Sequence, residues 1–428
     1  MLQTLKNAWK VPELRNKLLF TLMIIVLYRI GAVIPVPFVS SEMLQTIMAQ
    51  GGGSMFQYLN ILSGTAFSRA TLFALSISPY INASIIMQLL TIAIPALEKM
   101  QKSGEDGRKK ITQITRYVTV ALGLVTAYGY YMYMRSNNVL TNKTVFAALV
   151  IIACYSAGAA LIMWLGEKIN ESGIGNGISM ILFANIVASG TTIASMLVSY
   201  VQTYKIGGIF IDLAIVVVAV AIVTFVVFVT NSERRLPVQY AKKVVGRKMY
   251  GGQSSNLPLK LNMSGVMPII FANSIVAIPS TIALIFPPKS GGFWDKLNGF
   301  LGYTSWFYAL IFFILIIAFG YFYVAISFNP IEVSNNLKKN GGFIPGIRPG
   351  KPTSDYITRV LNRITLIGSL FLGFIAVFPL VVNMASGSSL GSIAFGGSSL
   401  LIVVGVALET ARELEGQMTM RHYKGFLE

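Results

Sequence analysis

"ITLIGSLFLGFIAVFPLVVNMASGSSLGSIAFGGSSLLIVVGVAL", residues 364–408, contains no Asp, Glu, Lys or Arg. A helix needs roughly 20 mostly apolar residues to cross a bilayer, so this run holds two crossings. Seven other segments also lack all four charged residue types: 70–97, 117–134, 144–166, 172–204, 213–232, 261–288 and 297–331. A further apolar run, from Leu18 to about Ile34, carries Arg29 near one end. The pattern predicts ten membrane helices, at about 18–34, 72–96, 114–134, 145–166, 177–200, 210–230, 266–286, 306–328, 364–384 and 396–412. The 428-residue chain is 54% hydrophobic and 12% charged. That is about half the charged fraction of a soluble domain.

Composition also narrows the chemistry. The first apolar run starts after Lys17, and no small-residue cleavage site follows before Pro35 and Pro37, so the start does not read as a cleavable signal peptide. Cys154 is the only cysteine and His422 the only histidine. A disulfide framework, a thiolate metal site and a multi-histidine centre are thereby excluded, and no cofactor is expected.

Lysine and arginine set the orientation. With ten spans both termini lie on one side. That side collects 27 of the 34 Lys and Arg, from the N-terminus, the segments 97–116, 167–175, 231–265 and 329–363, and the tail. The opposite side has Arg69, Arg135, Lys143, Lys205, Lys289 and Lys296. The positive-inside rule puts the richer side, and both termini, in the cytoplasm. The net charge of +18 follows largely from this bias and suits attraction to anionic lipid. Topology needs only a few charges near span ends, however. The two long basic segments, 231–265 and 329–363, therefore read as docking surfaces for a negatively charged partner.

Five spans precede residue 205 and five follow it, so the second half enters the membrane from the other side. Such inverted repeats are common in membrane transport proteins. Span two reads "SPYINASII" (78–86) and span seven reads "MPIIFANSI" (267–275). In both, Ile follows Pro by two residues and Ala by four, which gives Ile81 and Ile270 equivalent places. A proline near a helix start is expected to fix a bend.

The midplanes are nearly free of charge, whereas small-solute transporters place ionisable groups there. Glu167, Asp212 and Glu409 sit at span ends. The intramembrane polar groups are Asn82, Gln88, Asn185, Asn273 and hydroxyls, which also serve as helix–helix glue. No acid–base or nucleophile–base pair falls inside a span, so an enzyme is not expected. "GIGNGIS" (173–179) lacks a preceding strand and a following Gly-Lys-Ser/Thr, and reads as a tight turn into span five. Residues 35–70 begin with "PVP" and "GGGS". They continue with an apolar stretch too short to span, which fits either a re-entrant element in a cavity or a helix on the outer face.

Seven stretches together resemble the SecY family, the large subunits of bacterial protein-conducting channels. They are "IPVP" (34–37), "LSGTAFSRATLFALSISPYINASIIMQLL" (62–90), "GEDGRKKITQITRY" (104–117), "MWLGEKINESGIGNGIS" (163–179), "LPLKLNMSGVMPIIFA" (257–272), "NPIEVSNNLKKNGGFIPGIRPGKPT" (329–353) and "FGGSSLLIVVGVALET" (395–410). The resemblance implies an all-α polytopic membrane protein of ten transmembrane helices. Two inverted five-helix halves, 1–204 and 205–428, would surround a central pore with a short plug helix. Unfolded secretory chains would pass through the centre of a channel in the bacterial plasma membrane. Apolar segments and signal peptides would leave sideways between spans two and seven. A pore ring falls on Ile77, Ile81, Leu182, Ile186, Ile270 and Ile402, with leucine at 182 where isoleucine is usual.

The same resemblance places the plug at about 55–69, including Leu59, Asn60, Ile61, Leu62, Ser63, Gly64 and Arg69. Its match is good only from Ser63 onward. Asn82, Gln88 and Asn273 become polar groups of the lateral gate. The expected partners are SecE, SecG, the SecA motor ATPase and a translating ribosome, besides nascent chains and anionic lipid. Docking falls on Arg348 and Lys351 in one basic segment. In the other it falls on Lys242, Lys243, Arg247 and Lys248, beside Tyr240 and Tyr250. An inverted-repeat secondary transporter is the rival reading, disfavoured by the empty midplanes and the long basic segments.

"GFIPGIRPGKPT" (342–353) has a logic of its own. Two Pro-Gly pairs, four residues apart, signal turns. Arg348 and Lys351 each precede a proline and are biased toward extended backbone. The loop is stiff, so holding two cations outward costs little entropy.

Overall fold

The computed structural model describes residues 2–51, 60, 63–204, 206–240, 243–245, 248–250, 254–285, 302, 305–385 and 396–424. Its helices, in chain order, are α1 (Leu2–Lys10), α2 (Pro12–Gly31), α3 (Ser41–Gly51), α4 (Ser78–Ala93), α5 (Pro95–Lys102), α6 (Glu105–Ser136), α7 (Val145–Ser172), α8 (Gly177–Tyr204), α9 (Ile206–Asn231), α10 (Met267–Ile285), α11 (Trp306–Ser327), α12 (Pro330–Lys339), α13 (Lys351–Ala385) and α14 (Gly396–Lys424). Ten of these, α2, α4, α6 to α11 without interruption, α13 and α14, overlie the ten expected spans. Among the described residues, four are long and apolar enough to cross alone: α7, α9, α11 and α13. α4 reaches that length only with α5, from which it is bent by 100°. The uncharged part of α6 carries five tyrosines, which lower its hydropathy.

The prolines start helices where the sequence suggested bends. Pro79 is the second residue of α4 and Pro268 the second of α10. At that position the missing N–H has no intrahelical acceptor to lose. Ile81 and Ile270 therefore occupy the same place, two residues on, in two helices that pack together. α10 also packs on α6, while α14 packs on α8. The first five spans thus meet the last five on two sides.

Span two starts later than hydropathy suggests. Residues 63–77 are a chain of turns, with Gly64, Thr65, Ala70 and Ser76 at positive φ. Irregular backbone at membrane depth survives only where protein satisfies it. Here Val36 N donates to Ala70 O, Leu72 N to Ile34 O, and the Tyr130 hydroxyl of α6 to Phe67 O. Phe67, Ala70, Tyr130 and Tyr155 share one buried cluster with Val36 and Leu44. The turns are therefore tucked inside the bundle, and α3 precedes them.

Glycine permits the closest helix approach. A Cβ at Gly177 would strike the Gly166 carbonyl, so the start of α8 lies directly against α7. Asn170 holds this corner by accepting from Gly177 N at 2.7 Å.

The two basic segments fold as one body. β1 (Glu233–Tyr240) pairs antiparallel with β4 (Ser254–Lys260), and β2 (Lys243–Val245) with β3 (Lys248–Tyr250). The short β5 (Gly342–Phe343) joins β1 through Gln239↔Phe343 and Tyr240↔Gly342. Leu236 and Val238 alternate inward and meet Leu259, Ile344, Ile357 and Leu361. The sheet thus rests on the end of α11 and the first turns of α13.

Candidate pore, gate and docking surface

Ile77 closes the turn segment as the N-cap of α4, Ile81 lies in the first turn of α4, Leu182 and Ile186 on α8, Ile270 on α10 and Ile402 on α14. All six are buried, none more than 8% exposed, and all belong to one hydrophobic cluster. Period 3.6 explains the pairs: Ile77/Ile81 and Leu182/Ile186 each project from one helix face. Branched aliphatic side chains from four helices and from both halves of the chain thus meet in that cluster.

Beside it, between α4 and α10, lies a cavity of about 70 Å³. Asn82 and Asn273 both line it, with Ser76, Ser78, Thr126 and Thr281. Asn273 is 5% exposed, and among the described residues its Nδ2 has no acceptor. A buried donor without a partner costs about 1–3 kcal/mol, so this helix contact is weak at its centre. Gln88 does not join Asn82 and Asn273. It stands six residues further along α4, contacts Ser84 Oγ at 3.4 Å, and lines a second cavity of about 200 Å³ with Tyr80, Thr91, Gln101, Thr112 and Ile326. Six helical residues separate the two side chains by about 9 Å along the α4 axis.

Of the expected plug residues, Leu59, Ile61 and Leu62 lie outside the described residues. Asn60 organises the first turns of the segment 63–77. Its main-chain carbonyl accepts from Thr65 N and Ser63 Oγ, and its Oδ1 accepts from Ser68 N. Ser63 is fully buried and Arg69 is exposed. Arg29 stands close by, and its Nη2 donates to the Ala184 carbonyl at 3.3 Å.

On the basic face Arg348 and Lys351 are exposed. Gly346 and Gly350 have φ of 81° and 104°, so both Pro-Gly pairs form turns that need glycine. Thr353 Oγ1 donates to Arg348 O at 2.8 Å and Ser334 Oγ to Gly350 O at 2.7 Å. The loop is thus tied to α12 and α13. Lys243 and Lys248 sit on the paired strands β2 and β3, while Lys242 and Arg247 lie outside the described residues. At the open end of the β1–β4 pair, where Glu233 lies opposite Lys260, burial and then Arg412 push the Lys260 ammonium below its usual range, and Glu233 opposes them. Arg412, on α14, caps the end of α9 by donating to Thr230 O and Asn231 Oδ1, both at 2.7 Å.

Among the described residues no cluster of His, Cys, Asp or Glu could hold a metal ion. A two-point ion pair joins Arg116 of α6 to Glu167 of α7. The described residues thus combine a buried hydrocarbon cluster, a small cavity between α4 and α10 and an exposed basic loop.

Comparison with known proteins gives the family. The SecY family profile matches residues 71–411. A Streptomyces scabiei protein translocase subunit SecY is 45% identical over 441 aligned residues, covering all of both chains. One from Mycobacterium tuberculosis is 43% identical over 451 aligned residues, again covering both fully. The fold is similar to a solved protein-conducting channel, with TM-score 0.68 at 19% identity over 94% of this chain and 92% of that one. It is also similar to Sec61 in the canine ribosome–channel complex from the endoplasmic reticulum, with TM-score 0.63 at 18% identity over the same shares. The chain belongs to the SecY family.

Proposed function

We propose that this chain is the channel subunit of a bacterial protein translocase. It conducts unfolded secretory chains across the plasma membrane and releases apolar segments sideways into lipid. The observation that carries this reading is the single buried cluster containing Ile77, Ile81, Leu182, Ile186, Ile270 and Ile402. The six residues act as a compliant ring that seals the idle pore and grips a chain in transit. The seam between α4 and α10, with Asn82 and Asn273, is the lateral gate. Residues 1–204 and 205–428 act as two inverted halves of five spans each, with both termini cytoplasmic.

The chain has no catalytic role of its own, so its driving force comes from outside. The exposed Arg348 and Lys351, together with the β2–β3 cations, dock a SecA-type motor or a ribosome. Contacts to ribosomal RNA phosphate are charge-driven and weaken with salt. SecE and SecG complete the complex. The decisive experiment places a photo-crosslinker at Ile81 and stalls a secretory chain mid-export. Capture of the chain there is expected. Efficient export without capture at Ile81 or Ile270 overturns the ring assignment.

A further inference from the structure

The second cavity, of about 200 Å³, has no task in the channel reading. It lies where α4, α5 and α6 meet the end of α11, so both halves of the chain wall it. α5 turns 100° away from α4, and its Gln101 lines the cavity. Two kinds of exposed residue stand at the mouth. Ile92 of α4 and Ile326 of α11 are apolar, while Gln101 and Thr112 are polar. Apolar side chains exposed at the end of a span face hydrocarbon, and the polar ones beyond them face the headgroup layer. The mouth therefore opens at the depth of lipid headgroups.

Among the described residues no charged side chain lines the cavity. Its polar lining is rich in acceptors. The hydroxyls of Thr91, Thr112 and Thr115 donate to the carbonyls of Met87, Arg108 and Ile111, at 2.6, 3.0 and 2.9 Å. A hydroxyl has one hydrogen, so each of the three offers an occupant only lone pairs. Gln88 Nε2 donates to Ser84 Oγ at 3.4 Å. The side-chain carbonyl oxygens of Gln88 and Gln101 add two more acceptors. An occupant suited to this lining brings donors. A phosphate or carboxylate brings only acceptors and would face lone pairs. A primary ammonium brings three N–H donors, and its hydrogen bonds are charge-assisted.

We propose that this cavity is a headgroup site for a phospholipid ending in a primary ammonium, as phosphatidylethanolamine does. The ammonium enters among the threonine and glutamine oxygens. The acyl chains run down the apolar face of α4 past Ile92, Leu89 and Ile86, which are 53%, 38% and 40% exposed. These three recur every third residue and so share one helix face. A mouth edged by exposed isoleucine on two helices suits a lipid better than a lysine arriving on a peptide from water. The bound lipid touches α4 and α6 on one side and α11 on the other. The site needs α4, α6 and α11 to lie across a bilayer, and it is independent of what the channel conducts.

The test extracts the complete channel complex from bilayers of defined composition. They hold equal parts of phosphatidylethanolamine, its N-monomethyl and N,N-dimethyl forms and phosphatidylcholine, with a fixed share of phosphatidylglycerol. Native mass spectrometry counts the lipids retained. Methylation keeps the positive charge and removes the N–H donors one at a time. Retention is expected to fall along the series, about tenfold from ethanolamine to choline, as loss of a charge-assisted hydrogen bond predicts. Gln88→Leu combined with Thr112→Val should bring the ethanolamine lipid down to the choline level and leave the choline lipid where it was. Thr224→Val, at an exposed hydroxyl of α9, is the control and should keep the parental preference. Equal retention of the ethanolamine and choline lipids overturns the proposal, and so does an ethanolamine preference that the double variant keeps. Variant-sensitive retention of phosphatidylglycerol ahead of the ethanolamine lipid overturns the headgroup class. Binding of a lysine-bearing signal peptide that the double variant abolishes, with no lipid preference in the parent, gives the cavity to cargo and overturns the lipid. Should the double variant not assemble, Thr112→Val alone decides, since that residue is exposed. Export by the parent reports separately on the channel reading, and its failure leaves the lipid result standing.

Discussion

The Tyr130 hydroxyl donates to the main-chain carbonyl of Phe67 at 2.6 Å while the two rings stack with centroids 4.5 Å apart. One side chain of α6 thus supplies both the hydrogen bond and the packing that a non-helical segment needs inside a membrane protein. Tyr155 does the same less tightly, at 3.5 Å from Ala70 O. Tyr130→Phe keeps the stack and removes the donor. It is expected to destabilise the protein by about 1 kcal/mol, in line with hydrogen bonds measured within membranes. Tyr155→Phe should cost less. Thermal unfolding in nanodiscs ranks the two.

Gly177 tests the helix crossing. A methyl there meets the Gly166 carbonyl and the Ile169 side chain. Gly177→Ala is expected to push α8 off α7 and cost about 1–3 kcal/mol, as overpacking does elsewhere. Gly190 has open space around it, so Gly190→Ala serves as the control and should leave the unfolding temperature at or above the parent's.

Asn273→Leu should stabilise the seam between α4 and α10. It removes a buried donor that has no acceptor among the described residues and fills space in a cavity of about 70 Å³. The expected gain is about 1–2 kcal/mol, the cost of burying an unpaired amide. A tighter seam opens less readily, so export of substrates with weakly apolar signals should slow more than export of strongly apolar ones. In-vitro translocation of a graded signal series measures this.

Arg348→Glu should impair driven export without altering the fold. The side chain is exposed, and only its main-chain carbonyl is used internally, by Thr353. Translocation should fall while the unfolding temperature stays within a degree or two. Binding of the driving partner should lose part of its salt dependence, because one charge contact has gone. Unchanged export by this variant would count against docking through the loop.

The spans were legible because charge-free runs of span length have few other uses in a folded protein. The helix start at Ser78 was not, since residues 63–77 are as apolar as the helix they precede, and hydropathy does not distinguish turns from helix. The β1–β4 hairpin left a readable trace: Leu236, Val238 and Tyr240 alternate with polar residues and proline, as do Leu257, Leu259 and Leu261. That period of two was overshadowed by the basic charge of the segment. The six ring residues came from family motifs, because Ile and Leu facing a pore look the same in sequence as Ile and Leu facing lipid. Arg29 was visible as an oddity, but its bond to the Ala184 carbonyl, 155 positions away, was not.

α13 runs unbroken from Lys351 to Ala385, with the loop of Arg348 at its head and Leu372, Ile375 and Ala376 in the central cluster. A 35-residue helix is about 52 Å long and resists compression along its axis. The stretch ahead of the membrane is braced by the sheet, which keeps it from swinging aside. The loop and the central cluster are therefore joined by one continuous helix. A shift of the Arg348 loop would be carried along α13 to Leu372, Ile375 and Ala376, which lie ahead of its one interior proline, Pro379.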